Sequence, residues 1–315
     1  MATTKPEVHG VLVVDKPVGI TSHDVVSRVR RIVGQKSVGH AGTLDPMASG
    51  VLVVLLGEAT KLTPWLTSDA KVYTCTLQLG VETSSGDADG SVVREAPLES
   101  ALSDALRTFA QESNGGPIAD AASVERARTS QVPPAISAIH VNGERAYERV
   151  RRGEEVVLEA RPVAMHELRI ESVSAEDRTI TCMLHASKGY YVRAFARDFA
   201  STLGTFAHLT RLRRMRSGSF LIDDAVTLEG LTREQATRAL CSCEASVARA
   251  IPTFTLTEEQ TLWARQGKRF AWPSTAGEGP HGWLDAAGAL VAVGESREGL
   301  ACVIRGFCPT TPQVD

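Results

Sequence analysis

The apolar residues of this chain follow two spacings, which together indicate a mixture of strands and helices. Continuous apolar runs over residues 8–14 and 51–56 are typical of buried strands. Residues 22–33 instead carry apolar side chains on one helical face, after capping hydroxyl residues and before Gly34. We therefore expect a strand, a helix and a second strand in this order.

The middle of the chain repeats both patterns. Residues 71–81 alternate like a half-buried strand, and the side chains on its apolar face are Tyr73, Cys75, Leu77, Leu79 and Val81. The other elements predicted here are helices over 98–109, 147–152 and about 191–203, and strands over 163–173, 179–186 and 209–215. Residues 113–135 hold Gly-Gly-Pro, several alanines and a Pro-Pro pair, so we expect an irregular, mobile excursion there.

The C-terminal residues differ in character from the rest. One helix is expected over 257–266, with short strands near 283–285, 290–293 and 302–307. The whole pattern predicts an α+β fold, with a large mixed, mainly antiparallel sheet and flanking helices over residues 1–250. A small β-rich domain is predicted over residues 251–315.

Composition excludes several classes of protein. The net charge of −3 over 315 residues argues against a uniformly basic nucleic-acid binder, but residues 188–216 hold seven lysines and arginines against one aspartate. No apolar run is long enough to span a bilayer, and the N-terminal residues lack a signal-peptide pattern, so we expect a cytoplasmic protein. Cys241 and Cys243 form a lone CxC without a second pair, and no metal site is predicted.

Residues 39–50, GHAGTLDPMASG, carry groups capable of chemistry within a glycine-rich stretch. The three glycines and the proline argue against regular structure, and the stretch taken alone would be a turn. It contains Asp45, a nucleophile if a cation keeps it ionised and it is held still. Arg193 is one such cation, but the sequence alone does not select it. Residues 86–90 are predicted to be a plain turn, because the full ligand series of a calcium loop is missing.

A series of motifs in the first two thirds of the chain resembles the TruB family of tRNA pseudouridine-55 synthases. The first three are Asp15-Lys16-Pro17-x-Gly19-x-Thr21-Ser22, Gly39-His40-x-Gly42-x-Leu44-Asp45-Pro46-x-Ala48-x-Gly50 and Gly57-Glu58-Ala59-Thr60-Lys61. Those that follow are Lys71-x-Tyr73, Leu79-Gly80, Asp87-x-Asp89-Gly90, Gln131-x-Pro133-Pro134, Ser137-Ala138, Ser187-Lys188-Gly189-x-Tyr191-x-Arg193 and Leu212-Arg213-Arg214. The likeness covers about residues 9–216. The C-terminal segment resembles the PUA-like module of bacterial, particularly actinobacterial, members.

The resemblance implies a role for residues that the pattern alone would leave structural. Asp45 would be the nucleophile, Arg193 its ion-pair partner, and Tyr73 would stack on the target uracil and take its C5 proton. The residues that would line the uracil pocket are His40, Tyr191 and Leu212. Taken singly, Tyr73 and Leu212 would be assigned to the core, Tyr191 to a helix start and His40 to a turn.

The resemblance also implies a partner. The substrate would be tRNA, bound at its T-arm with the target base flipped out, without a cofactor, a metal, a membrane or an obligatory protein partner, and the protein is expected to be a monomer. The excursion over about residues 113–160 would correspond to an RNA-binding thumb. The cations that would contact RNA phosphates are Lys16, Lys61, Lys188, Arg211, Arg213, Arg214, Arg151 and Arg152. A solvated basic surface is the alternative for these side chains.

Three features depart from the family pattern, and two further functions stay open. Ile139-His140 stands where many members carry a lysine, residues 110–130 are longer and richer in alanine, and Thr43 replaces a frequent alanine.

The first alternative function is an RNA-binding folding chaperone in which catalysis is secondary or lost. The second is a guide-RNA-dependent relative of the dyskerin type, which would need partner subunits.

Overall fold

The computed structural model describes residues 7–67, 70–112, 115–137, 139–141, 143–273 and 277–308, without the side chains of residues 140, 141, 145 and 147. Ala138 of the Ser-Ala motif and the N-terminal residues 1–6 lie outside this description, as do residues 309–315 of the predicted C-terminal domain. The side chain of His140, one of the departures from the family pattern, is also outside it.

The elements alternate between strands and helices from the start of the described chain. Up to residue 131 they are β1 (Gly10–Lys16), α1 (Ser22–Val33), β2 (Val38–Ala41), β3 (Ser49–Leu56), a 3-10 helix (Gly57–Leu62), α2 (Thr63–Leu66), β4 (Lys71–Leu79), β5 (Val81–Thr83), β6 (Val92–Glu95), α3 (Ser100–Glu112), α4 (Gly116–Arg126) and β7 (Ser130–Gln131).

The second half of the chain continues the mixture and ends in strands. Its elements are β8 (His140–Val141), β9 (Glu144–Arg145), α5 (Ala146–Arg151), β10 (Arg161–Pro162), β11 (Met165–Ser174), β12 (Thr179–Ala186), α6 (Val192–Thr202), β13 (Ala207–Ser217), β14 (Phe220–Leu221), a 3-10 helix (Ile222–Asp224), β15 (Val226–Thr227), α7 (Arg233–Arg238), α8 (Cys243–Ala248), β16 (Thr253–Thr255), α9 (Glu258–Arg265), β17 (Phe270–Ala271), β18 (His281–Leu284), β19 (Leu290–Arg297) and β20 (Leu300–Gly306).

The first of two compact units contains residues 1–46, 50–69 and 217–315. In it β1 pairs antiparallel with β3 and parallel with β15. Helix α1 begins and ends where the sequence predicts, because Thr21 and Asp24 form a capping box and Gly34 closes the helix in the left-handed conformation. Its apolar face is buried at Val25, Val26, Val29 and Val33.

The C-terminal strands belong to the same unit and form a sheet in the order β16-β18-β19-β20-β17. Strand β19 is buried on both faces. Leu290 and Val293 belong to one buried cluster with Val11 and Val53, whereas Val291 belongs to a second cluster, around Trp283. The C-terminal strands thus share a core with β1 and β3, and the predicted boundary after residue 250 stays a prediction.

The second unit contains residues 47–49 and 70–216, and its strands lie in the order β11-β12-β4-β13. The predicted alternation along β4 is confirmed, since Tyr73, Cys75, Leu77 and Leu79 are buried. Val81 is only partly buried, because the chain turns at Gly80 (φ 86°) and Val81 starts β5.

Two local predictions are wrong. Residues 113–135 were expected to be irregular, but most of the first half forms α4, which starts after Gly115 (φ 77°) with Pro117 in its first turn. Its buried residues recur at helical spacing, and they are Ile118, Ala121, Ala122 and Glu125. The helix packs against β11 and α6. Residues 39–50 are not all loop either. His40 and Ala41 pair with Val54 and Val53 on the apolar strand β3, so the loop is confined to residues 42–48.

The α+β class with a mixed, mainly antiparallel sheet, flanking helices and a β-rich C-terminal segment is confirmed. No helix in the described parts of the chain is long and apolar enough to cross a membrane. Among the described residues there is no group of three or more His, Cys, Asp or Glu side chains that could hold a metal ion.

Candidate active site

Asp45 lies half-buried in the loop between β2 and β3. Both backbone groups of the preceding residue, Leu44, form hydrogen bonds. The Leu44 N–H donates to Ser22 Oγ over 2.9 Å, and the Ser22 hydroxyl donates to the Leu44 carbonyl oxygen over 3.2 Å. Ser22 is the first residue of α1 and is buried. One shielded hydroxyl therefore fixes both backbone groups of Leu44.

The residue after Asp45 is held as firmly. The Pro46 carbonyl oxygen accepts from the Gly19 N–H over 2.8 Å and from Lys16 Nζ over 3.1 Å. Lys16 Nζ also donates to the carbonyl oxygens of Pro17, at 2.9 Å, and Ile20, at 2.7 Å. Lys16 is 0% exposed. The predicted phosphate contact at Lys16 does not fit this burial, since the ammonium supports the Asp45 loop from inside the protein.

His40 and Lys61 lie in the same unit as Asp45. The half-exposed His40 is on β2, and its ring is edge-on to that of His23, with centroids 6.0 Å apart. Lys61 pairs with Glu58 at 2.7 Å and donates to the Gly306 carbonyl oxygen over 3.2 Å. It is therefore already engaged with the C-terminal strands.

Arg193 lies in the first turn of α6, in the second unit, and its guanidinium is held by three groups from two parts of the chain. Nη1 donates to the Ser85 carbonyl oxygen over 2.8 Å and Nη2 to the Ile136 carbonyl oxygen over 2.9 Å. Nε lies 3.7 Å from Asp87 Oδ2. Arg193 is 5% exposed and Asp87 is buried too. The side chain is thus fixed in one plane by neighbours of its own unit.

Asp87 contacts Arg193, although the sequence analysis treated it only as part of a turn. The turn prediction is confirmed, and Asp87 Oδ1 also accepts from the Asp89 N–H over 3.2 Å. Gly86 has φ 75°, and a Cβ there would lie 3.5 Å from Arg193 Cβ. The Gly-Asp-x-Asp-Gly motif is therefore a holder for Arg193. The sequence contains one sign of this contact: Asp87 is an acidic residue in a family motif to which no role was assigned.

The remaining predicted pocket residues are also in the second unit. Tyr73 on β4 and Leu212 on β13 are buried, on strands that are neighbours in the sheet. Tyr191 is half-buried and is the N-cap residue of α6. The predicted ion pair between Asp45 and Arg193, which belong to different units, stays a prediction.

The predicted phosphate contacts separate by exposure. Lys188, Arg211 and Arg151 are exposed, and neither Lys188 nor Arg211 has an acidic partner among the residues described here. Arg213 is half-buried and donates to Ser49 Oγ over 3.3 Å.

The other two arginines are less available to RNA. Arg152 lies between Glu144, at 2.6 Å, and Glu154, at 2.8 Å. Arg214 is 1% exposed, so the phosphate contact predicted for it does not fit the structure.

Family models match most of the chain. Residues 30–192 match the N-terminal domain of the TruB family pseudouridylate synthases, and residues 193–250 match the tRNA pseudouridylate synthase B C-terminal domain. A tRNA pseudouridine synthase B from Arthrobacter sp. (strain FB24) is 39% identical over 326 residues, covering 96% of this chain and 98% of the relative. One from Thermobifida fusca (strain YX) is 39% identical over 296 residues, covering 92% and 95%.

Solved structures with similar folds are more distant in sequence. A crystal structure of a Cbf5-Nop10-Gar1 complex gives a TM-score of 0.68 at 22% identity, covering 95% of this chain and 85% of that chain. An H/ACA RNP bound to a substrate RNA containing 2'-deoxyuridine gives 0.66 at 20% identity, covering 95% and 85%. At this identity the likeness concerns the fold alone.

The bonds between Ser22 and Leu44 lead to a prediction about the Asp45 loop. In Ser22→Ala, the buried Leu44 N–H loses its acceptor, which should lower the free energy of unfolding by about 1–3 kcal/mol. Hydrogen exchange at the Leu44 amide should become faster, while Ser27→Ala on the same helix serves as the matched control. Exchange of the Leu44 amide at the wild-type rate would show that Ser22 does not hold the loop.

Proposed function

Because the chain belongs to the TruB family of pseudouridylate synthases, we propose that it converts a uridine of tRNA into pseudouridine. The uridine is the one at position 55, in the T-arm. The observation that carries the proposal is the fixation of Asp45, whose two neighbours in the chain are both bonded to buried groups. A turn needs no such fixation, whereas a nucleophile gains from it.

Asp45 supplies the carboxylate for the isomerisation. The reaction breaks the bond between N1 of uracil and C1′ of ribose and forms a bond between C5 and C1′, while the proton leaves C5 and N1 gains one. A carboxylate can attack C1′, remove the C2′ proton or add to the uracil ring. All three routes need a carboxylate that is ionised and held still.

Arg193 and Tyr73 complete the proposed catalytic group. Arg193 would keep Asp45 ionised and oriented, and its own orientation is set by the carbonyl groups of Ser85 and Ile136. Tyr73 would stack on the detached uracil and accept the C5 proton. His40, Tyr191 and Leu212 would enclose the base while it turns, which requires a site closed to water.

Recognition of the tRNA is proposed to depend on shape and phosphates. The target uridine lies in a folded loop and must be flipped out of its stack before Asp45 reaches it. Among the predicted phosphate contacts, Lys188 and Arg211 are the best candidates, because both are exposed and neither has an acidic partner among the residues described here. Residues 251–315 are proposed to add further RNA contacts as a PUA-like module.

The chain is proposed to act on free tRNA as a monomer, in the cytoplasm, without a protein partner. The similar solved complexes contain additional proteins, but their likeness to this chain concerns the fold alone. Turnover of a tRNA transcript by the purified chain tests this point directly. A folding chaperone without catalysis is the weaker proposal, since it gives no reason for the fixed Asp45 loop.

Replacing the carboxylate of Asp45 should abolish the reaction and leave binding intact. Asp45→Asn keeps the shape of the side chain but removes the charge that attacks or abstracts. Tritium release from a tRNA transcript labelled at C5 of uridine should fall to background, while filter binding of the tRNA is kept. Asp104→Asn, at an exposed ion pair on α3, is the matched control. Release by Asp45→Asn at the wild-type rate would refute the assignment.

The exposed cations should account for part of the salt dependence of tRNA binding. In Lys188→Gln and Arg211→Gln, tRNA affinity should fall, and the slope of log affinity against log salt should decrease by roughly one for each phosphate contact removed. Arg107→Gln, at an exposed arginine paired with Asp104, should leave the slope unchanged. An unchanged slope in all three variants would rule out the phosphate role.

A further inference from the structure

The side chain of Gln131, on β7, bonds to both backbone groups of Tyr191. The Tyr191 N–H donates to Gln131 Oε1 over 2.9 Å, and Gln131 Nε2 donates to the Tyr191 carbonyl oxygen over 3.1 Å. A backbone N–H only donates, so the pairing fixes the orientation of the amide. Gln131 is 2% exposed, which keeps water from competing for these bonds. Gln131 therefore holds the residue from which α6 begins.

The residues after Gln131 run along α6 and contact it twice more. The Val132 carbonyl oxygen accepts from Arg197 Nη2 over 3.0 Å, and the Ile136 carbonyl oxygen accepts from Arg193 Nη2 over 2.9 Å. We call residues 131–136 the strap. This one segment holds the backbone of Tyr191 and the guanidinium of Arg193 together.

The strap begins at the strand pair that encloses residues 132–160, which are the later part of the predicted RNA-binding excursion and belong to the second unit. β7 pairs with β10, and the Val163 N–H donates to the Thr129 carbonyl oxygen over 3.0 Å. Residues 132–160 lie between these two anchors and include α5, which carries Arg151 at its end. Gln131 is thus at the base of this later part of the excursion and against the start of α6.

We infer that Gln131 is a positioning residue for pseudouridine formation, which ties the base of the excursion to Tyr191 and Arg193. The inference rests on the proposed function, since it takes Tyr191 and Arg193 as groups that act on the flipped uridine. Gln131 acts through Tyr191 and the strap, because both ends of its amide are used by Tyr191. Gln131 therefore affects the rate of the chemical step, while exposed cations such as Arg211 bind the RNA.

The loss of Gln131 has a definite physical consequence. Without the amide, the N–H of Tyr191 loses its acceptor, and this N-cap residue of α6 relaxes to find another. A displacement of about 1 Å at groups that hold a substrate can cost roughly 100-fold in rate. Arg211, an exposed candidate for a phosphate contact, lies on a different element, β13, so its position should be unaffected.

Gln131→Met tests this expectation, because methionine keeps the length of the side chain and removes both bonds. The single-turnover rate of pseudouridine formation should fall by roughly 100-fold. The Kd for tRNA should change less than about threefold, since the phosphate contacts are kept. Gln78→Met is the matched control, because Gln78 Nε2 also donates to a backbone carbonyl oxygen, that of Asp177, over 2.8 Å in the same unit. This control should retain the wild-type rate.

Gln131→Glu adds a pH-dependent measurement that a purely structural role would not move. A protonated carboxyl group restores one acceptor and one donor, whereas a carboxylate faces the Tyr191 carbonyl oxygen. Burial opposes ionisation of this group, while Arg161, opposite residue 131 on β10, and Arg197, bonded to the next carbonyl, favour it. The rate relative to wild type should therefore rise as the pH is lowered from about 8 to about 5.

The outcomes separate this inference from the proposed function. If the wild type forms no pseudouridine, the proposed function fails and the positioning role falls with it. If the wild type is active, an unchanged rate in Gln131→Met overturns the inference alone, as does an equal loss of rate and tRNA affinity. If the rate of Gln131→Glu relative to wild type does not change with pH, the donor role of Nε2 is contradicted. Hydrogen exchange at the Tyr191 amide should be faster in Gln131→Met, and unchanged exchange would show that Gln131 does not hold Tyr191, whatever the activity.

Discussion

The backbone on either side of Asp45 is fixed by groups that are themselves withdrawn from water, and the proposed chemistry depends on this constraint. Burying the Lys16 ammonium is costly unless all its donors are used, and three carbonyl oxygens accept from it. Ser22 adds a buried hydroxyl on the Leu44 side. The loop therefore cannot move without leaving a charge and a backbone N–H unsatisfied. That penalty keeps the backbone on both sides of Asp45 in one place.

In the second unit a cation, Arg193, is likewise held by groups of the surrounding chain. The guanidinium of Arg193 presents donors in a fixed plane, and carbonyl oxygens from two distant loops and the Asp87 carboxylate face them. Ser85 and Ile136 lie 108 and 57 residues before Arg193 in the chain, so no local segment could build the holder. Position is supplied by backbone carbonyl groups, while charge is supplied by side chains. Gln131 extends this arrangement to Tyr191.

The sequence predicts elements well where the signal is local. Helix α1 has its own caps in Thr21 and Gly34, and β4 has a strict alternation, so both follow from neighbouring residues. Strand β2 was missed because its pairing with β3 is a tertiary contact, which the sequence does not show and which overrides the glycine at position 39. Helix α4 was missed because small alanines were taken as a sign of irregular chain, although they allow close packing.

Site residues were named by their likeness to a family, and the structure supplies their physical setting. The likeness does not separate a cation that contacts RNA from one that supports the fold, since burial is a property of the folded chain. Lys16 and Arg214 show this limit, because both are withdrawn from solvent. The task of Asp87 likewise became visible only with its contact to Arg193.

The most direct test of the central claim is nucleotide-resolution mapping of pseudouridine in an unmodified tRNA transcript incubated with the purified chain alone. We predict conversion of one uridine, at position 55 in the T-arm, without any cofactor added and without a change in the mass of the RNA. No conversion of that uridine, or conversion of uridines outside the T-arm in its place, would contradict the account.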